Sequence, residues 1–174
     1  MINIDAVKEY AFESHAQVNH MYDDMPYSAH LKMTAQVAKD FIHLIPRDYR
    51  EQVIAAAYCH DILEDTHQTY NDLKKKVRSH LVAEIVYAVT NDKGRTRAER
   101  AGKKYYDGIR SQQFASFIKL CDRIANVTYS KSTGSSMYGK YKLELESFLK
   151  SVVSPDKIVA YHELFELLNQ LFIG

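Results

Sequence analysis

The chain has 174 residues, 46% of them hydrophobic, and a formal net charge of +1. That length fits one domain with a real core; the apolar fraction excludes disorder, and the balanced charge argues against non-specific nucleic-acid binding, which shows a strong basic excess. A small anionic ligand stays open, because a local basic pocket hides in a neutral total. No apolar run reaches the ~18 residues of a membrane span, so no membrane partner is expected. The start, Met1-Ile2-Asn3-Ile4-Asp5, lacks the basic-then-apolar pattern of a signal peptide. Cys59 and Cys121 lie in apolar runs and read as small buried hydrophobes. A disulfide framework is not expected, and a reducing cytoplasm is the natural compartment.

Only six glycines and three prolines occur, and strand-like alternation is scarce, so the chain reads as helix nearly throughout. The spacing predicts helices over 4–18, 28–44, 48–60, 69–77, 79–90, 96–108, 111–127, 138–152 and 156–172. Pro46 ends the second and Asp48 caps the third. The charged segment 91–100, with Gly94, reads as a surface loop, and 130–139 as the clearest loop. Ser154 before Pro155 supplies an N-cap with proline at the first helical position. The last helix carries Ile158, Tyr161, Leu164, Phe165 and Leu168, a face suited to core packing or to a homodimer contact.

Three segments put ionisable residues where the helical pattern wants apolar ones. His30 lies on the stripe His30, Met33, Thr34, Val37, Ala38, Phe41, the spacing of a core face. It reads as a core histidine satisfied by a neighbour or as a ligand. After the apolar run Val53–Ala57 comes Cys59-His60-Asp61-Ile62-Leu63-Glu64-Asp65. On one continuous helix His60 stacks over Glu64 and Asp61 over Asp65. Acids oppose the dipole at a helix C-terminus, and a bound cation reverses that penalty; the bland alternative is a set of solvated acids. Asp122 shares a face with Ile118 and Ala125, where a carboxylate is costly unless paired, for instance with Arg123, or bound to a metal. Together His30, His60, Asp61 and Asp122 offer two imidazoles and two carboxylates, a set suited to Mn²⁺, Fe²⁺ or Zn²⁺.

The order His30, His60-Asp61, Asp122 resembles the H…HD…D pattern of HD-domain metal-dependent phosphohydrolases. Pro26-Tyr27-x-x-His30, His60-Asp61-x-x-Glu64-Asp65-Thr66, Thr90-x-Asp92-Lys93 with Glu99-Arg100, and Lys119-Leu120-x-Asp122-Arg123-x-x-Asn126 look like the hydrolase domain of the RelA/SpoT family. The short single-domain members of that group are the small alarmone hydrolases, metazoan SpoT homologues among them. The resemblance runs from about His15 to Asn126. It implies an all-α HD-domain helical bundle with a buried single-metal site. It also implies Mn²⁺-dependent removal of the 3′-pyrophosphate from guanosine tetra- or pentaphosphate. His30, His60, Asp61 and Asp122 would then hold one Mn²⁺, with Fe²⁺ or Zn²⁺ as substitutes. Glu64 and Asp65 would orient or deprotonate the attacking water. Asn126 would meet the nucleoside, and Lys93, Lys119 and Arg123 the phosphates, each of these cations being equally readable as a solvated charge. Tyr138 and Tyr141 are candidates for ring stacking or phosphate contact.

One departure bears on specificity. The family usually carries an Arg-Lys pair after a His-x-Gln segment, packed on the purine. Here His15-Ala16-Gln17 is followed by Asn19 and His20, and Leu31 follows His30 where the family often has proline. The catalytic set is intact, while His20 offers an imidazole in place of the guanidinium stack. The expectation is an altered purine preference, toward adenosine alarmones for example, or weaker nucleotide affinity. Two other readings remain: an HD phosphohydrolase acting on a nucleoside monophosphate or the 2′-phosphate of NADPH, and a non-catalytic metal-binding regulatory module. The complete ligand set with Glu64 and Asp65 argues against the last.

Overall fold

The structure, a computed structural model, describes residues 1–91, 96–100 and 102–173, with backbone alone at 97 and 98. Lys93, expected to meet phosphate, lies outside the described residues, as do Asp92 and Gly94. In chain order the elements are α1 (Ile4–Gln17), β1 (Met21–Tyr22), β2 (Met25–Pro26), α2 (Ser28–Asp40), α3 (Arg50–Cys59), α4 (Ile62–Asp65), α5 (Tyr70–Val77), α6 (His80–Val89), α7 (Arg97–Arg100), α8 (Lys103–Ser111), α9 (Ala115–Thr133), α10 (Met137–Val152) and α11 (His162–Gln170). The fold is all-α, as expected. α9 is its axis: α2, α3, α6, α8, α10 and α11 all pack against it. Phe117, Ile118, Leu120, Cys121 and Ile124 of α9 are buried by that packing, which is what holds an otherwise Ser- and Lys-bearing helix in place. Among the described residues no helix is long and apolar enough to cross a membrane.

Local side-chain chemistry accounts for the starts of α1, α5 and α6. Asn3 accepts the Ala6 N–H at 3.0 Å, Thr69 and Asp72 form a capping box at α5, and Ser79 accepts the Val82 N–H at α6. Elsewhere the structure departs from the predicted elements. The second helix stops at Asp40, and two 3₁₀ turns, Ile42–Leu44 and Arg47–Tyr49, flank Pro46. Proline lacks an N–H and bars its predecessor from helical geometry, so neither 28–44 nor a start at 48 survives. The third helix ends at Cys59 and restarts at Ile62 as α4. One predicted helix, 96–108, is instead α7 and α8, with Gly102 in extended backbone between them.

The expected loop at 130–139 is mostly helix. α9 runs on to Thr133, its hydroxyls satisfied by its own carbonyls: Ser130 donates to Val127, Ser132 and Thr133 to Tyr129. Gly134, at φ +68°, ends it. Residues 155–161 form 3₁₀ turns, not the start of a long helix. Leu164 and Leu168 of α11 are fully buried, so that face packs on α9. The short β1–β2 hairpin pairs Met21 with Pro26 and Tyr22 with Met25, around Asp23 at φ +50°, a conformation aspartate tolerates. Cys59 and Cys121 are free and buried.

Candidate metal centre

The four predicted donors come from three places: His30 in the first turn of α2, His60 and Asp61 in the break between α3 and α4, and Asp122 midway along α9. Every residue of Val53–Cys59 is buried, so the end of α3 is driven into the core and carries His60 with it. The Nε2 atoms of His30 and His60 are 3.2 Å apart. Asp122 Oδ1 lies 3.2 Å from His30 Nε2 and 3.7 Å from His60 Nε2. Asp61 Oδ2 lies 2.9 Å from His60 Nε2 and 3.6 Å from His30 Nε2. A divalent cation with ~2.1 Å bonds to N and O ligands sets neighbouring ligand atoms roughly 3–3.5 Å apart, so the trio His30, His60 and Asp122, at 3.2–3.7 Å, suits one, and Asp61 flanks its two imidazoles. Buried His30, His60 and Asp122 are a candidate metal-holding group in their own right.

The surrounding contacts orient the donors. His60 Nδ1 sits 2.9 Å from the Ala57 carbonyl. Donation there leaves the Nε2 lone pair facing the cluster. Asp122 accepts Asn126 Nδ2 on Oδ1 at 2.6 Å and Lys119 Nζ on Oδ2 at 2.8 Å. The Tyr27 hydroxyl donates to Asp61 Oδ2 at 2.5 Å. Tyr22 stacks on the His30 ring at 4.8 Å and donates to Asn126 Oδ1 at 2.8 Å.

The electrostatics ask for positive charge. Burial disfavours a charged His60, yet the Asp61 and Asp122 carboxylates outweigh it and push its pKa up to about 10. His30 is raised against burial by the same two carboxylates. Burial also disfavours an ionised Asp122, but Lys119 and then the two imidazoles hold it well below the usual carboxylate range. Without a cation the cluster holds protons, and a divalent cation takes their place.

Glu64 and Asp65 lie beyond the end of α3, as the last two residues of the separate single turn α4, where their N–H groups bond to the Asp61 carbonyl at 3.1 and 3.0 Å; a dipole argument built on one continuous helix therefore does not apply. Glu64 is clamped by Asn91, whose N–H reaches Oε2 at 3.1 Å and whose Nδ2 reaches Oε1 at 2.9 Å. Burial first, then the Asp61 and Glu64 charges, push the Asp65 carboxyl up to about 7.

The other predicted residues fall on two sides. His20 Nδ1 is 3.9 Å from Asp65 Oδ2, and its ring lies on Tyr27 at 3.8 Å. Lys119 and Arg123 line a cleft of about 1000 Å³ that also takes in Glu64, Arg100, Lys103 and Arg110. Arg123 is spoken for by Glu144 at 3.0 Å and by the rings of Tyr141 and Phe148 at 4.8 and 4.1 Å. Tyr141 thus supports Arg123. Tyr138 donates to the Leu171 carbonyl at 2.9 Å, tying α10 to the chain end. Sequence reasoning missed Tyr22 and Asn91 and gave Tyr27 no role. Only the motif around Tyr27 signalled any of them.

No protein-family model matches the chain. It is 37% identical over 76 residues to guanosine-3′,5′-bis(diphosphate) 3′-pyrophosphohydrolase MESH1 of Danio rerio, a match covering 44% of this chain and 42% of that protein. It is 34% identical over 77 residues to the Drosophila melanogaster protein of the same name, again over 44% and 42%. The chain thus matches less than half the length of these curated relatives. A solved structure of a metazoan ortholog of SpoT, described as hydrolysing ppGpp and playing a role in starvation responses, superposes with a TM-score of 0.69 at 21% identity, over 97% of this chain and 93% of that one. The chain resembles these pyrophosphohydrolases in part of its sequence and has, almost end to end, the all-α HD-domain fold of the SpoT ortholog.

Proposed function

We propose that this chain is a metal-dependent alarmone hydrolase that removes the 3′-pyrophosphate from guanosine or adenosine tetra- and pentaphosphates. The reading includes a single domain in the cytoplasm, with a small nucleotide as its partner. The observation that carries it is the convergence of buried His30, His60 and Asp122 with half-buried Asp61, their carboxylate oxygens 2.9–3.7 Å from the two imidazole nitrogens, next to two further carboxylates on α4. The activity in the relatives' names and the shared fold support it. When bound, the metal, Mn²⁺ by family resemblance, lowers the pKa of a water and offsets charge on phosphoryl oxygens.

The chain's own residues supply the rest. Asp65, whose carboxyl burial and acidic neighbours push up to about 7 in the metal-free protein, takes a proton from the attacking water as its oxygen bonds to phosphorus, and returns that proton to the ribose 3′-oxygen as the phosphorus–oxygen bond to it breaks. Glu64, fixed by Asn91, orients the water. The basic side chains of the cleft hold the anionic pyrophosphate. Asn126 faces the nucleoside. On the purine side His20 stands where the family has its Arg-Lys pair, which supports an altered base preference.

The test is product analysis of Mn²⁺-loaded protein with guanosine and adenosine 3′-pyrophosphates, AMP and NADPH. Pyrophosphate release from the alarmones is expected. Orthophosphate from AMP or NADPH alone overturns the substrate assignment, and no turnover with metal bound overturns catalysis.

A further inference from the structure

Asp61 is the less supported of the two carboxylates, while His30, whose Nδ1 has no hydrogen-bond partner among the described residues, is held by the rings of Tyr22 and Tyr27. Asp122 is gripped on both oxygens by Lys119 and Asn126, and His60 is fixed by the Ala57 carbonyl. Asp61 sits in the break between two helices, at φ −102° and ψ 2°, outside any regular ladder. Among the described residues, the contact outside the cluster's own imidazoles that orients its carboxylate is the hydroxyl of Tyr27, at 2.5 Å from Oδ2. That is the oxygen 2.9 Å from His60 Nε2.

Tyr27 is itself held rigidly. Its ring lies near-parallel to His15 at 4.6 Å and to His20 at 3.8 Å. Its edge meets His30 at 5.3 Å. Its N–H bonds to the His20 carbonyl at 3.1 Å, and its own carbonyl accepts the Leu31 N–H at 3.3 Å. A phenol fixed at both ring and backbone has little freedom, so its hydroxyl sets where Oδ2 points.

We infer that Tyr27 is a positioning residue for the metal centre, acting through Asp61. The hydroxyl occupies one lone pair of Oδ2 and turns the carboxylate toward the two imidazoles. Hydrogen-bonding partners of metal ligands typically govern affinity by 10–100-fold. This inference rests on the metal-centre reading above, though not on the substrate.

The experiment is Mn²⁺ titration of the full chain, with free ion followed by electron paramagnetic resonance and the visible bands of the Co²⁺ form as a second readout. Tyr27→Phe keeps the ring stack and removes only the hydroxyl. It is expected to raise the Mn²⁺ Kd by roughly 10–100-fold and to shift the Co²⁺ bands. Tyr58→Phe, which removes a hydroxyl bonded to Lys39 at 3.0 Å, controls for general softening and is expected to bind Mn²⁺ as the parent does. A Tyr27→Phe Kd within about twofold of the parent overturns the inference and leaves the metal centre standing. Equal weakening in Tyr58→Phe also overturns it. A parent chain that binds no divalent metal overturns the metal centre and this inference together.

Discussion

Replacing Lys119 by methionine removes a cation from beside a buried carboxylate while keeping most of the side-chain volume. The Lys119 ammonium donates to Asp122 Oδ2 at 2.8 Å, and the two side chains are only 14% and 10% exposed. Stranding a buried charge costs about 3–5 kcal/mol. Asp122 keeps Asn126 at 2.6 Å and the imidazoles, so the lower end, about 3 kcal/mol, applies to the metal-free protein. With Mn²⁺ facing Oδ1 the charge is already met, and the loss reduces to one charged hydrogen bond, about 1.5 kcal/mol. By linkage the variant then binds Mn²⁺ about tenfold more tightly than the parent. Thermal unfolding in EDTA and in saturating Mn²⁺ reads both costs. In EDTA the melting temperature is expected to fall by about 6–12 °C. Equal destabilisation with and without metal, or weaker Mn²⁺ binding in the variant, refutes the placement of a cation against Asp122.

His60→Ala is expected to abolish both Mn²⁺ binding and turnover, read by metal content after dialysis and by pyrophosphate release; retained stoichiometric metal is the contrary result. Glu64→Gln is expected to keep the metal and lose roughly 10²–10⁴-fold in kcat, because it replaces an acceptor-only group clamped by two N–H donors of Asn91; normal turnover contradicts an orienting role. Asp65 is raised from the usual 3.8 to about 7 by burial and neighbouring acids, so the folded state holds a proton the unfolded chain releases. Metal-free stability therefore falls as pH rises from about 4 to about 7. Asp65→Asn is expected to flatten that slope in EDTA, being more stable than the parent above pH 7 and no different near pH 4; parallel profiles count against it.

The candidate donors were legible because ionisable residues there interrupt or end apolar runs, and a charge in such a place needs a reason to be buried. The break that presents two of them was not. The spacing ends the third helix at 60, one residue from its observed end at Cys59, but stacking His60 over Glu64 assumes a helix that runs on, and nothing in the spacing announces the separate turn α4. A continuous helix turns neighbouring side chains about 100° apart, whereas the break lets both His60 and Asp61 reach the cluster. The hairpin escaped because two residues per strand are too few to alternate, although Asp23-Asp24 is a turn signal. The Asn91–Glu64 clamp and the Tyr27–Asp61 bond join residues distant in sequence, with no periodicity to reveal them. α9 ran past its predicted end because serine and threonine read as loop formers, while their hydroxyls bond back along the helix.

The donors are drawn from positions 30, 60–61 and 122, so the centre exists only once α2 and the end of α3 have docked on α9. Closing loops of that length is paid in chain entropy before any ligand set is in register. A cation held there is therefore a late contact in folding. Bound late, it would leave the folding rate nearly unchanged and slow escape from the native state, so a metal there would act as a lock on a structure that has already assembled.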